Sequence, residues 1–347
     1  MISNPENDQE KSDLNEVDNF SDNEVNINLQ PQTETVVKSN GLGLLLLSTA
    51  VLILSSASIL IRLSENELGP FATIFNRLWI AIVALVAWKG FAKARSQIIQ
   101  DVSIQPEIYT KKDIVLSIMS GLISVPCVLL WAWSLTETSV TNSNLLHNLM
   151  PLFVVLTGWL FFRKKFDHYF LIGLVLALGG TISISIEDFQ ISPDHLIGDL
   201  GALLSAWFYA GTYMVVEKLR EKFSTTTVLL WACSIELLVV FPTTLLIEDQ
   251  LFPSSLNGWL VAIALGVLCQ VIGQGIMAYA LKQFSSAFVS LFILLEPIFT
   301  GFLAWLIFAE KLTVINGVAF FVVLTGIYFA QLSQSINKKI SSPAEIS

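Results

Sequence analysis

The sequence predicts an all-α integral membrane protein, with ten transmembrane helices in two inverted five-helix repeats and both termini cytoplasmic. Three observations predict it. Apolar residues make up 54% of the 347 and charged residues only 14%, with a mean hydropathy of +0.67; a soluble chain of this length could not keep that much apolar surface from water. One membrane hairpin occurs twice along the chain. Lysine and arginine gather in alternate loops.

The elements follow in order. Residues 1–40 are rich in Asn, Asp, Glu and Gln and hold many of the acids behind the net charge of −9. Such a segment cannot bury enough apolar area to offset its ordering entropy, so it reads as a disordered acidic tail. It lacks the basic start and apolar core of a secretory signal. Runs of about twenty apolar residues, each able to cross a bilayer core of about 30 Å, then fall near 41–62, 70–91, 113–135, 139–161, 168–186, 196–217, 226–247, 257–281, 285–308 and 313–333. Residues 41–190 form the first repeat, 191–333 the second and 334–347 a C-terminal tail. Connections are short, and the longest, 92–112, is polar. Cys127, Cys233 and Cys269 all fall inside apolar spans without metal-ligand spacing. They read as packing residues, and no metal or cofactor is expected.

The repeat is read by sliding the sequence 146 positions. Leu145, Leu149, Pro151 and Phe153 fall on Leu291, Leu295, Pro297 and Phe299; Trp159, Leu160, Phe162 and Lys165 fall on Trp305, Leu306, Phe308 and Lys311. Leucines match by chance in apolar spans, but a proline, a tryptophan and a lysine in one register do not. Two-fold pseudo-symmetry in a polytopic membrane protein points to transport by alternating access.

Orientation comes from the basic residues. With the N-terminus inside, the inner side collects Lys11, Lys38, Lys89, Lys93, Arg95, Lys111, Lys112, Arg163, Lys164, Lys165, Lys218, Arg220, Lys222, Lys282, Lys338 and Lys339, and the outer side only Arg62 and Lys311. Five spans per repeat then invert the second copy. Consistently, the first copy ends its fourth span on Arg163-Lys164-Lys165, whereas the matching outer end reads Ala309-Glu310-Lys311.

Leu294-Leu295-Glu296-Pro297, followed by Ala304-Trp305-Leu306-Ile307-Phe308-Ala309-Glu310-Lys311-Leu312, resembles the signature of the EamA-type drug/metabolite transporters, the ten-helix members of that superfamily. Gly198-Asp199-Leu200 and Arg77 are similar to the family pattern as well. The resemblance covers about 41–333. It implies two inverted five-helix halves around a central cavity, and export of amino acids and other metabolites or carriage of sugars and related compounds. It also implies a structural acid at the end of the fourth span, where this chain instead has Lys164.

Polar groups are costly in hydrocarbon, so each asks for a reason. Asn144, His147, Asn148 and Pro151 share one helix face. Counting from Ser139 at about 1.5 Å per residue, His147 lies about 12 Å deep, near the midplane where transporter sites lie. The stripe reads as a solute or proton contact, or as hydrogen bonds that pack helices together; His147 is a candidate proton carrier. The matched stripe, Ser290, Ile293, Leu294 and Pro297, is much less polar. Pro151 and Pro297 are candidate hinges or ordinary packing kinks. Arg77 has three readings: an ion pair with Glu236 or Glu296, contact with a solute carboxylate, or snorkelling outward. Glu236 and Glu296 are deep acids able to carry a proton. Gln270 and Gln274 share a face of span eight, and Tyr209, Tyr213 and Glu217 a face of span six. Trp131 and Trp207 offer aromatic walls. Ser55-Ser56-Ala57-Ser58 and Gly179-Gly180 allow close helix approach.

The function expected is secondary transport of a small polar or amphiphilic metabolite, an amino acid or related solute exported across the cell (inner) membrane, with proton coupling an open option. No phosphate-cradling motif occurs, so direct ATP coupling is not expected. A membrane enzyme would need converging catalytic or metal ligands, and His147, His168 and His195 are placed apart. A non-transporting scaffold or receptor would use the acidic tail. The expected partners are a small-molecule solute and the lipid bilayer, with a homodimer left open and no nucleic acid.

Overall fold

The computed structural model describes residues 33–99, 107–185, 195–308 and 314–340. Its elements are α1 (Thr33–Ser64), α2 (Pro70–Ile99), α3 (Lys111–Glu137), α4 (Val140–His147), α5 (Met150–Phe162), α6 (His168–Ser185), α7 (Leu196–Arg220), α8 (Thr225–Ile247), α9 (Leu256–Ala264), a π-helical stretch (Leu265–Gly273), α10 (Gln274–Ala280), α11 (Ser286–Ile293), α12 (Glu296–Phe308) and α13 (Val314–Ile340). No strand occurs among the described residues. The chain divides into two compact units, Met1–Leu42 and Gly43–Ser347. Helix α1 begins at Thr33, inside the segment expected to be a tail. Residues 1–32, Glu310 and Lys311 lie outside the described residues.

Among the described residues, seven helical segments are long and apolar enough to cross a membrane: Gly41–Ser64, Pro70–Arg95, Lys111–Glu137, Asn142–Phe162, Thr225–Ile247, Leu256–Ala280 and Ser286–Ile307. His168–Ser183 and Gly317–Ser333 are shorter apolar helices. Large apolar side chains cover the outside: Leu246 is 87% exposed and Leu238 75%. That surface suits lipid and not water.

Two apolar runs break at matched positions. A proline clashes with the carbonyl four residues back and cannot donate to it. Helix α4 ends at His147, four residues before Pro151; α11 ends at Ile293, four residues before Pro297. Each gap is bridged by tighter i→i−3 bonds: Leu149 N to Leu146 O at 3.2 Å, and Leu295 N to Phe292 O at 3.0 Å. The helix starts match too. Ser139 caps α4 by accepting from Asn142 N, and Ser285 caps α11 by accepting from Phe288 N; a serine oxygen supplies an acceptor that the first turn lacks.

The helices pair in a pattern that the repeat explains. Helices α6 and α13 cross antiparallel, and glycine is required where they touch. A Cβ on Gly173 would sit 2.4 Å from Gly326 O, and one on Gly180 3.1 Å from Ala319 O. Shifting by 146 turns the first contact into the second. Helices α2 and α8 are also antiparallel: Thr244 Oγ1 donates to Phe71 O at one end (3.3 Å), and Lys89 Nζ to Thr227 Oγ1 at the other (3.3 Å). Helix α7 holds one broken span at each of its ends. Near its start, Asp199 Oδ1 accepts from Thr138 Oγ1 (2.8 Å) and Asn142 Nδ2 (3.3 Å). Near its end, Glu217 Oε2 accepts from Ser286 N (3.1 Å) and Ser286 Oγ (2.5 Å).

Span eight is read as one helix in the sequence, but nine of its residues wind as π-helix. The wider turn brings Gly266 against α2, where a Cβ would meet Ile80 Cγ2 at 2.6 Å and Arg77 O at 3.2 Å. Only glycine permits that approach, and it fixes the backbone that carries Arg77.

Candidate functional site

A cavity of about 170 Å³ opens among α1, α2, α3, α4, α7, α8, the π stretch, α10 and the start of α12. Its lining includes Asn144, His147 and Asn148 from α4 and the α4–α5 break, Arg77 from α2 and Trp131 from α3. It also includes Tyr209 and Tyr213 from α7, Glu236 from α8, Gln270, Gln274 and Glu296. Residues from both halves of the chain thus meet at one polar cleft in an apolar bundle. Such a cleft, with few convergent polar groups, is the usual form of a small-molecule site.

His147 is held on three sides. It stacks on Tyr209, with centroids 5.0 Å apart and planes at 18°, and leans on Trp131 at 5.8 Å. Its Nδ1 lies 2.7 Å from Ser205 Oγ, whose own proton goes to Ala202 O at 2.7 Å. Ser205 thus ties the Nδ1 edge of the ring to α7.

The next wall is a closed ring of hydrogen bonds. Gln274 Nε2 donates to Tyr209 OH (3.0 Å), Tyr213 OH donates to Gln274 Oε1 (3.4 Å), and the two phenols are 3.4 Å apart. Spacing i, i+4 on α7 brings the phenols together, and the helical restart at Gln274 meets them. Gln270 donates to Cys233 Sγ at 3.4 Å.

The charged groups are Arg77, Glu236 and Glu296. Glu236 is buried and accepts a short hydrogen bond from Ser124. Both carboxyls lie within electrostatic reach of Arg77. Yet among the described residues no ion pair forms to Arg77, and its Nε is buried without a hydrogen-bond partner. The Trp131 Nε1 is in the same condition. Of the three readings open to Arg77, an ion pair with Glu236 or Glu296 is not formed among the described residues.

Three sequence candidates lie elsewhere. Ser290 is fully buried in the core, its hydroxyl donating to Ala287 O at 2.9 Å. Glu217 leaves the tyrosine face to hold the start of α11, with Lys164 Nζ 3.8 Å away. Trp207 is 45% exposed on the outside, bonded to Thr157 Oγ1 at 3.1 Å. Pro151 and Pro297 adjoin the cavity only through the breaks they cause, at Asn148 and Glu296. The second break is stitched to its neighbours: Thr181 Oγ1 donates to Leu294 O (3.0 Å) and Ser55 Oγ to Glu296 O (3.2 Å).

Sequence reasoning missed Ser124, Cys127, Ser58 and Thr212, all of which line the cavity. The signal was present on α3, where Ser124, Cys127 and Trp131 follow an i, i+3, i+7 stripe. Only the tryptophan stood out, because serine and cysteine are common in membrane helices.

Comparison with known proteins agrees with this architecture. The model of the EamA-like transporter family matches residues 41–186 and again 196–332. An uncharacterized transporter of Archaeoglobus fulgidus is 25% identical over 84% of this chain and 97% of its own length. The pseudopaline exporter CntI of Pseudomonas aeruginosa is 23% identical over 60% of this chain and 73% of its own. A solved crystal structure shares the fold, with a TM-score of 0.70 at 17% identity over 84% of this chain and 98% of that one. These names belong to transporters and not to enzymes. With the family pattern met twice, over most of its length, this multi-pass membrane chain belongs to the EamA-like transporter family.

Proposed function

We propose that the protein is a secondary transporter that exports a small polar or amphiphilic metabolite, an amino acid or related solute, across the cell (inner) membrane by alternating access. The observation that carries this reading is a polar cavity lined by residues of both halves, because rocking one half against the other would expose such a site to each side in turn. Ten spans in two inverted repeats, with both termini cytoplasmic, fit the helix pairing. The antiparallel crossing of α6 and α13 supports inversion, as do the starts of α4 and α11 at opposite ends of α7. Similarity to a named exporter supports the outward direction. His147, Glu236 and Glu296 face the cavity and would carry protons if transport is proton-coupled. The broken spans at Pro151 and Pro297 would act as hinges.

The test compares metabolites in the medium of cells that overproduce the wild-type chain, His147→Ala or Asn148→Ala, and of cells without it. One solute class should accumulate outside only with the wild-type protein. Identical media with and without the protein would refute export. Equal accumulation with wild type and both variants would remove the α4 stripe from the site.

A further inference from the structure

We propose that the cavity selects solutes bearing a carboxylate, and that Arg77 is the residue that binds it. The proposal rests on the transport reading above and names the substrate class of that same site.

A cation within a membrane span is costly unless an anion or several acceptors meet it. Arg77 lines the cavity, yet no described residue forms an ion pair or hydrogen bond with its guanidinium. The two nearby acids do not serve. Glu236 is engaged by Ser124, and Glu296 lies beyond ion-pair distance on the far side of the α11–α12 break. Trp131 contributes a second buried N–H without an acceptor. Two orphaned donors at one cleft call for an oxygen-rich, anionic ligand group, and a planar carboxylate fits the guanidinium fork.

The remaining chemistry narrows the ligand further. Arg77 is the one lysine or arginine among the lining residues, against two glutamates. Arg77 is thus a cationic partner for one carboxylate only, and the second charge of a dianion such as a phosphate ester would find no other cation in the lining. The Glu296 carboxyl, which lines the cavity and accepts no hydrogen bond among the described contacts, suits a donor elsewhere on the solute, such as an ammonium. The stacked His147 and Tyr209 rings offer a flat face for an apolar body. The guanidinium is presented from a fixed backbone, because Gly266 packs against Arg77 O; preorganised donors discriminate better than mobile ones.

The experiment uses proteoliposomes of the purified full chain, loaded with acid–amide pairs: L-leucine with L-leucinamide, and L-phenylalanine with L-phenylalaninamide. Efflux is followed by mass spectrometry and corrected for protein-free liposomes. At least one acid should leave about tenfold or more faster than its amide, a contrast expected when a charge-assisted hydrogen bond is lost. Arg77→Gln should abolish that preference, and Arg77→Lys should keep part of it. The wild-type contrast needs no variant, so a misfolded Arg77→Gln does not decide the outcome. Amides that keep pace with their acids overturn the proposal while leaving transport intact. Arg77→Gln that retains the preference overturns it too. No protein-dependent efflux of any compound counts against the transport reading, and this proposal falls with it.

Discussion

The two broken spans share a backbone and differ in what they carry. Each starts at a capping serine, stops four residues before a proline and resumes as a second helix. In the first, Asn144, His147 and Asn148 face the cavity. In the second, the matched Ser290, Ile293 and Leu294 are sealed in the core at 0%, 2% and 0% exposure, and Glu296 alone reaches the cleft. The comparison teaches that the repeat conserves the architecture of a break while the site is built mostly by one copy. The packed copy gives the bundle a firm side; the polar copy lines the cleft.

The largest expected effect comes from exchanging the two kinds of position. Leu294→Asn puts an amide into a packed apolar site and should cost about 2–4 kcal/mol through lost burial and unmet hydrogen bonds. Asn148→Leu, at the matched cavity position, should cost under about 1 kcal/mol. Melting of the detergent-solubilised protein reads both. Equal losses would sink the distinction between a packed and a cavity-facing copy.

The second break depends on its stitches. Thr181→Val keeps the shape but leaves Leu294 O without its 3.0 Å donor, a loss of about 1–2 kcal/mol. An unchanged melting temperature would mean that water or relaxation satisfies that carbonyl, so the packed copy would be less dry than it looks.

Smaller effects should come from the acids of α7. Glu217→Gln weakens both the hold on Ser286 and the contact with Lys164, for about 0.5–1 kcal/mol. Asp199→Asn, in the first turn of α7 and bonded to the start of α4, should cost less because no lysine is paired with it in the described contacts. The gap should narrow in high salt. A larger loss for Asp199→Asn would reverse the order of the two anchors.

The smallest effect is a pH dependence at a third helix start. Glu67, in the loop before α2, accepts from the Ser255 hydroxyl and from the backbone and side chains at Ser254–Ser255, at the start of α9. The hydrogen bonds from Ser255, its side chain foremost, hold the Glu67 carboxyl below its ordinary value of 4.5. A depressed folded-state pKa stabilises the fold above the unfolded value, and that stabilisation is lost as pH falls through the folded one. Wild type and Glu67→Gln should therefore differ at neutral pH and converge under acid. A gap that persists below the folded pKa would show that the serines hold this loop without help from the charge.

Much of this was legible because the signals were local. Pro151 and Pro297 mark matched positions where helices stop, although Pro126 in α3 and Pro242 in α8 sit within unbroken helices. Asn144, His147 and Asn148 share a face by helical geometry alone. Arg77, Glu236, Gln270 and Gln274 stood out because polar side chains are rare in such spans. Ser290 shows the limit: its spacing is that of Asn144, yet its hydroxyl is satisfied within its own helix and its face is covered by the core. Ser124 shows the converse, an ordinary residue that matters because Glu236 lies against it.

By itself, the sequence determined the membrane class, the doubled hairpin with its two matched prolines, and the polar face of α4. Each follows from composition or from the period and covalent geometry of a single helix. Tertiary structure alone decided that Glu217 anchors α11, that nine residues of span eight unwind into a π-helix against α2, and that Arg77 meets no carboxylate among the described residues. The physical reason is the same for each. A helix's period fixes which face a side chain occupies, but its partner, its burial and its charge balance are set by whatever another helix, distant in sequence, places against that face.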